Sequence, residues 1–155
     1  MLMKKSEIKQ IAIVGAGLTG HGIALEFALA GYQVNLNSRS EDSLSRARDR
    51  IDESLAMLQR LGKVSSHMAK AAPHNVHTNS ILSESVKEAD LVIEAVYEDI
   101  ELKRSIFHQL DELCPEHTIL ASNTSTSSPT VLSYATQRPD KVLVAHYVNP
   151  TFLVP

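Results

Sequence analysis

Tryptophan is absent, cysteine occurs once, and aromatic residues make up only 5% of the chain. The lone thiol, Cys114, cannot close an internal disulfide and has no neighbour in sequence that would activate it. Stability must therefore come from packing, and 155 residues are enough to bury a core without a covalent or metal staple. No run is long and apolar enough to suggest a membrane span, and residues 1–9 carry lysines without the apolar stretch of a secretory leader. Nor is there a basic excess: 15 Lys and Arg stand against 18 Asp and Glu, without clustering. Phosphate backbones and anionic lipid would find no counter-charge. These absences predict one soluble domain over 1–155 in a reducing, cytoplasmic setting, with no nucleic-acid or membrane partner.

What is present is alternation. Short aliphatic runs at 11–14, 33–37, 91–95, 118–122 and 142–148, with a weaker one centred on Val76, are separated by stretches of helical period. Leu44, Ala47, Ile51, Leu55 and Leu58 form one apolar stripe, with Ser40 as its cap and Glu41 and Asp42 at the positive end of the helix dipole. Leu102, Ile106, Leu110 and Leu113 form another, closed by Pro115, and helices are also predicted over 18–30 and 129–135. Strands alternating with helices predict an α/β fold with a mostly parallel sheet.

The first strand runs into Gly15-Ala16-Gly17-Leu18-Thr19-Gly20, which opens a helix before the second strand. In that context a G-x-G-x-x-G is a dinucleotide cradle: Gly15 for the tight turn, Gly17 for close approach of backbone to diphosphate, Gly20 for helix against strand. The free N–H groups of the helix start face the anion. The expected fold is thus a doubly wound sheet of the Rossmann type, with Leu18 and Thr19 completing the cofactor loop. Where the second strand ends, an acid would normally hold the adenosine ribose 2'-hydroxyl; this chain has Ser38 and Arg39. A guanidinium suits a 2'-phosphate, so NAD(P) is expected with a lean towards NADP. The alternative is that Arg39 stacks over adenine or faces solvent and NAD still binds. His74 and His77 lack an accompanying cysteine or acid cluster, and no metal site is expected.

Further along, Asp90-Leu91-Val92-Ile93-Glu94-Ala95-Val96-Tyr97-Glu98-Asp99, Leu102-Lys103, Ala121-Ser122-Asn123-Thr124-Ser125 and His146-Tyr147-Val148-Asn149-Pro150 occur in order. Over nearly the whole chain this resembles the NAD-binding domain of the L-3-hydroxyacyl-CoA dehydrogenase family. The resemblance implies hydride transfer between an L-3-hydroxy substrate and its 3-oxo form, with family precedent for NAD. It implies that His146 is the catalytic base, that Ser125 holds the substrate oxygen and that Asn149 lines the reaction pocket. Glu98 and Lys103 would contact the cofactor side of the cleft, and Ala95 and Asn123 count with the cofactor-binding residues. The residue types suit these roles on their own. An imidazole can take a proton and return it near neutral pH, and a hydroxyl can track an oxygen from alcohol to ketone. As turn, cap or strand-end residues, Ser125, His146, Glu98 and Asp99 would need no such role.

Departures from the family pattern carry their own expectations. Tyr147-Val148 stands where the acyl-CoA branch has two phenylalanines, and with Leu153-Val154-Pro155 it resembles the L-gulonate 3-dehydrogenase and carnitine dehydrogenase branch. The substrate is therefore a 3-hydroxyacyl-CoA or a small 3-hydroxy acid. Residues 61–72, where acyl-CoA members carry a helical hairpin, bear Lys63 and Lys70 but are short. The apolar tail 151–155 reads as a cut. The glutamate that orients the family's histidine would fall at position 158, and the helical domain through which full-length relatives dimerise would come after it, so weak or no turnover is expected of these 155 residues. Two other readings stand beside this one. They are a non-catalytic dinucleotide-binding module and a 6-phosphogluconate-type hydroxyacid dehydrogenase, the latter suggested by Asn37-Ser38-Arg39-Ser40.

Overall fold

The structure is a computed structural model that describes residues 8–153. The expected leader-free start at residues 1–7 and the last two residues of the apolar tail, Val154 and Pro155, lie outside the described residues. Strands β1 (Gln10–Val14), β2 (Gln33–Asn37), β3 (Val76–Asn79), β4 (Leu91–Glu94), β5 (Ile119–Ser122) and β6 (Val142–Val144) form one sheet in the order β3-β2-β1-β4-β5-β6. All five pairings are parallel. Strand order reverses between β1 and β4, which opens a crevice at the carboxyl edge.

Helices α1 (Gly20–Leu29), α2 (Glu41–Arg60), α3 (Ser66–Ala71), α4 (Leu82–Val86), α5 (Ile100–Leu113) and α6 (Pro129–Ser133) make the crossovers. Strands β1, β4 and β6 read as largely apolar runs because both faces of the sheet are covered. Ile11 and Ile13 pack with Ile23 and Leu25 of α1 and Leu44, Ile51 and Leu58 of α2. The intervening Ala12 and Val14 pack on the other face with Val86, Phe107, Leu110 and Leu132. Helix α2 buries its whole predicted stripe, and Ser40 caps it by accepting from the Ser43 N–H at 3.3 Å. Asp99 caps α5 in the same way, with Leu102 N at 2.8 Å from Oδ1.

Several boundaries differ from expectation. Helix α1 is trimmed at both ends, between Thr19 and Ala30, and Gly31 turns the chain away at a φ of 89°. Strand β6 stops at Val144 rather than 148: Ala145 N still donates to Ser122 O at 3.0 Å, but Tyr147 N donates to the Asn123 side chain at 2.8 Å. Residues 145–149 thus leave the sheet instead of extending it. Helix α3 lies within residues 61–72, the segment expected to hold at most a shortened hairpin, and α4 has no counterpart among the expected elements. Their six and five residues cannot repeat an apolar stripe, and α3 buries none of its side chains.

At the amino edge of the sheet, Asp90 accepts from Lys9 N at 2.7 Å and Gln10 N at 2.9 Å, and faces His117 Nε2 at 3.0 Å. Burial pushes its carboxyl up, but the two backbone donors and His117 outweigh this and hold it below the ordinary carboxylate value. A folded pKa below the unfolded one stabilises at pH above about 3.9, and that contribution is lost as pH falls through the folded value. Asp90→Asn is expected to lose about 1–3 kcal/mol at neutral pH. In thermal unfolding, the gap between the two proteins should narrow below about pH 4; a gap independent of pH would refute the assignment.

Among the described residues no helix is long and apolar enough to cross a membrane. Cys114 is buried, and burial pushes its thiol up to about 12, so the thiolate needed for reactivity is not formed near neutral pH.

Candidate cofactor and active site

The last paired residue of each strand falls in one row across the sheet: Asn79, Asn37, Val14, Glu94, Ser122 and Val144. Every strand except the edge strand β3 hands on to a predicted site segment at this row. Gly15 to Gly20 come after β1, Ser38 and Arg39 after β2, Ala95 and Glu98 after β4, Asn123 and Ser125 after β5, and His146 and Asn149 after β6. The parallel topology thus gathers residues from Gly15 to Asn149 onto one edge.

In the cradle, Gly15 adopts a φ of 113°, and a Cβ there would stand 2.5 Å from the Ala95 carbonyl oxygen. Its N–H is tied to Asn37 O at 2.9 Å, so the elbow is fixed to the end of β2. A Cβ on Gly20 would lie 1.8 Å from Gly15 O. A Cβ on Gly17 would meet nothing within 4 Å, so that backbone is open on the side a diphosphate would use. These three environments separate two predictions. Gly20→Ala must displace the elbow, costing about 1–3 kcal/mol of stability and coenzyme affinity together. Gly17→Ala should leave thermal stability unchanged or slightly raised, yet weaken NADH binding at least about tenfold, or 1.4 kcal/mol. Unaltered NADH titration of Gly17→Ala would exclude this loop as the anion site.

Beside the cradle, Ser125 Oγ and His146 Nε2 are 2.9 Å apart, and both residues are exposed. Asn149 Nδ2 donates to Thr19 Oγ1 at 2.8 Å, joining the histidine segment to the glycine loop. Asn123 acts through its Oδ1, which holds Tyr147 N beside the histidine. Arg39 is exposed at the end of β2 and, among the described residues, has no hydrogen-bond or ion-pair partner. Leu18 is 65% exposed on the rim.

Glu98 bridges two of these segments. Its Oε1 accepts from the hydroxyls of Thr124, Thr126 at 2.9 Å and Ser127 at 3.3 Å, which fastens the loop carrying Ser125 to the end of β4. Burial raises its pKa, but these hydroxyls and the Lys103 ammonium prevail and hold it below the usual range, so it stays ionised.

Lys103 departs from expectation. It is 0% exposed, its Nζ lies 2.8 and 2.9 Å from the two carboxylate oxygens of Glu94, and Glu98 Oε2 is 3.7 Å away. In this arrangement it stands behind Glu98 and does not itself face the cleft. Glu94, also 0% exposed, further accepts from Val96 N at 2.7 Å and Ser122 Oγ at 2.6 Å. This buried hub joins β4, β5 and α5 directly under the site. Sequence reasoning missed Glu94 and the three hydroxyls around Glu98; an acid closing an otherwise apolar strand, nine residues before a lysine on a helix, was the available signal. Among the described residues no group of three or more His, Cys, Asp or Glu could hold a metal ion.

Comparisons with known proteins agree with this geometry. The family model "3-hydroxyacyl-CoA dehydrogenase, NAD binding domain" matches residues 10–155. A 3-hydroxybutyryl-CoA dehydrogenase of Clostridioides difficile is 39% identical over 142 residues, which is 91% of this chain and 50% of that protein. The crystal structure of 3-hydroxybutyryl-CoA dehydrogenase from Escherichia coli superposes with a TM-score of 0.88 at 33% identity, over 94% of this chain and 30% of that one. A diketoreductase of dicarbonyl compounds superposes with a TM-score of 0.88 at 35% identity, over 94% and 52%. The chain spans about half the length, or less, of the relatives it matches. With the strand order, the glycine cradle and the motifs at the carboxyl edge, these matches show that the chain belongs to the 3-hydroxyacyl-CoA dehydrogenase family, as its NAD-binding domain.

Proposed function

We propose that this domain holds NAD(P) in the Gly15–Gly20 cradle and carries the acid-base residues for interconverting an L-3-hydroxyacyl-CoA and its 3-oxo form. The observation that carries the reading is the 2.9 Å contact between Ser125 Oγ and His146 Nε2, at the edge where the cradle opens. The cradle fits a diphosphate because the Gly17 backbone is unobstructed while Gly15 and Gly20 have no room for side chains. When bound there, the nicotinamide supplies the hydride acceptor or donor. His146 Nε2 takes the hydroxyl proton in oxidation and returns it in reduction. Ser125 Oγ hydrogen-bonds the substrate oxygen throughout, since a hydroxyl can donate to a ketone and accept from an alcohol. Asn149 keeps the histidine segment in register with the loop through Thr19. Glu98 contacts the cofactor side of the cleft while its Oε1 holds the Ser125 loop, and Lys103 keeps Glu98 in place from behind.

Arg39 supports NADP over NAD. It stands exposed beside Ser38 where a ribose-binding acid would otherwise repel a 2'-phosphate. Side-by-side calorimetric titrations with NADH and NADPH are expected to favour NADPH by about tenfold, and Arg39→Asp should narrow or reverse the ratio. Equal affinities that ignore the substitution would remove Arg39 from the site, and no binding of either would overturn the whole reading. A small 3-hydroxy acid or dicarbonyl substrate is the second reading. It is supported by Tyr147-Val148 after the histidine and by the similarity to the diketoreductase.

A further inference from the structure

The segment that carries His146 and Asn149 ends in a short 3-10 turn, Thr151–Leu153, which lies against α1. Thr151 is 4% exposed and seats itself on Gly22, where a Cβ would come within 2.3 Å of Thr151 Oγ1. One helical turn further along α1, the Glu26 carboxyl faces the Thr151 hydroxyl. Glu26 Oε1 and Thr151 Oγ1 are both buried and, among the described residues, both lack a partner meeting hydrogen-bond geometry. Two orphaned buried oxygens on facing side chains are costly unless they satisfy each other, and the Thr151 hydroxyl can donate to the Glu26 carboxyl oxygen. Burial pushes the Glu26 carboxyl above its ordinary range, with the Thr151 hydroxyl opposing in part. Tyr147, half-buried in the same region, joins the core cluster that includes α1.

We propose that Glu26 and Thr151, meeting over Gly22, are positioning residues that fasten the His146 segment to α1 as a second anchor beyond the Asn149–Thr19 bond. Helix α1 begins at the phosphate cradle, so two anchors on one helix hold the proton-transfer group and the cradle as one body. Gly22 is thereby explained as a seat for Thr151 rather than a helix-weakening accident. The inference rests on the functional reading for the meaning of His146, but its geometry can be tested without it.

Amide hydrogen exchange on the whole chain supplies that test, read peptide by peptide. Glu26→Leu should accelerate exchange across residues 145–153 by about fivefold to tenfold, the size of one lost hydrogen bond, with β1 and the rest of α1 unchanged. Glu26→Gln, whose amide oxygen can still accept from the Thr151 hydroxyl, should restore protection to within about twofold. Thr151→Val should match Glu26→Leu, and the double variant should be no worse than either single one. A Glu26→Leu protein with wild-type protection in 145–153 would overturn the proposal, as would a Glu26→Gln protein as impaired as Glu26→Leu, or acceleration spread evenly through β1 and α1. Should NADH and NADPH both fail to bind while this protection pattern holds, the functional reading falls and the anchor stands.

Discussion

Replacing His146 by alanine, in a polypeptide that extends this chain with the second half its relatives possess, is expected to lower 3-oxoacyl-CoA reduction by about 10²–10⁴-fold while leaving coenzyme affinity nearly unchanged. The separation has a geometric cause. Among the described residues the His146 side chain hydrogen-bonds Ser125 and no cradle residue, and the Asn149 side chain, three residues on, would remain bonded to Thr19. Removing the imidazole therefore takes away the proton acceptor and Ser125's partner without touching Gly15, Gly17 or Gly20. Ser125→Ala should lose less, because it removes one hydrogen bond to the substrate oxygen and not the proton transfer itself. Steady-state kinetics beside a coenzyme titration would decide the matter. Loss of coenzyme binding in parallel with activity would mean that residue 146 holds the fold of the cleft instead of serving its chemistry.

Lys103→Ala should be strongly destabilising. It strands the Glu94 carboxylate, 0% exposed, with only Val96 N and Ser122 Oγ as donors. Breaking a buried pair by removing one partner costs about 3–5 kcal/mol, equivalent to a drop of roughly 6–20 °C in Tm for a domain of this size. The double change Glu94→Gln with Lys103→Met should recover most of this, since the glutamine Oε1 can still accept from Val96 N while its Nε2 donates to Ser122 Oγ, and no charge remains buried. The same double variant should bind coenzyme less well than wild type, because Glu98 loses the ammonium 3.7 Å behind it. A small Tm change in Lys103→Ala would show that water reaches the pair.

The sheet was legible because parallel strands covered on both faces tend to be written as apolar runs, as at 91–94, while 33–37 alternates Val34 and Leu36 with polar residues and still reads as a strand. The cradle was legible because each of its glycines answers a separate steric demand. Harder to read was anything decided across the chain. Strand β6 ends early because Asn123, twenty-four positions back, captures Tyr147 N, and no local pattern in Val142 to Val148 reveals this. Lys103 was expected at the cofactor because its role was carried over by motif, whereas its burial depends on Glu94 and on the packing of α5 over β4 and β5. Glu26 looks like any exposed helix position until Gly22 lets Thr151 in beside it. Each of these is a tertiary contact overriding a local signal.

One spatial relation is central, that between the glycine elbow and the imidazole beyond the end of β6. Crystals of the chain soaked with NADPH or NADH test it most directly. The expected result is a diphosphate seated on the backbone amides of residues 15–20, with the nicotinamide in the cleft beside His146 Nε2 and Ser125 Oγ. A diphosphate bound elsewhere, or a nicotinamide on the far side of the sheet from His146, would contradict it.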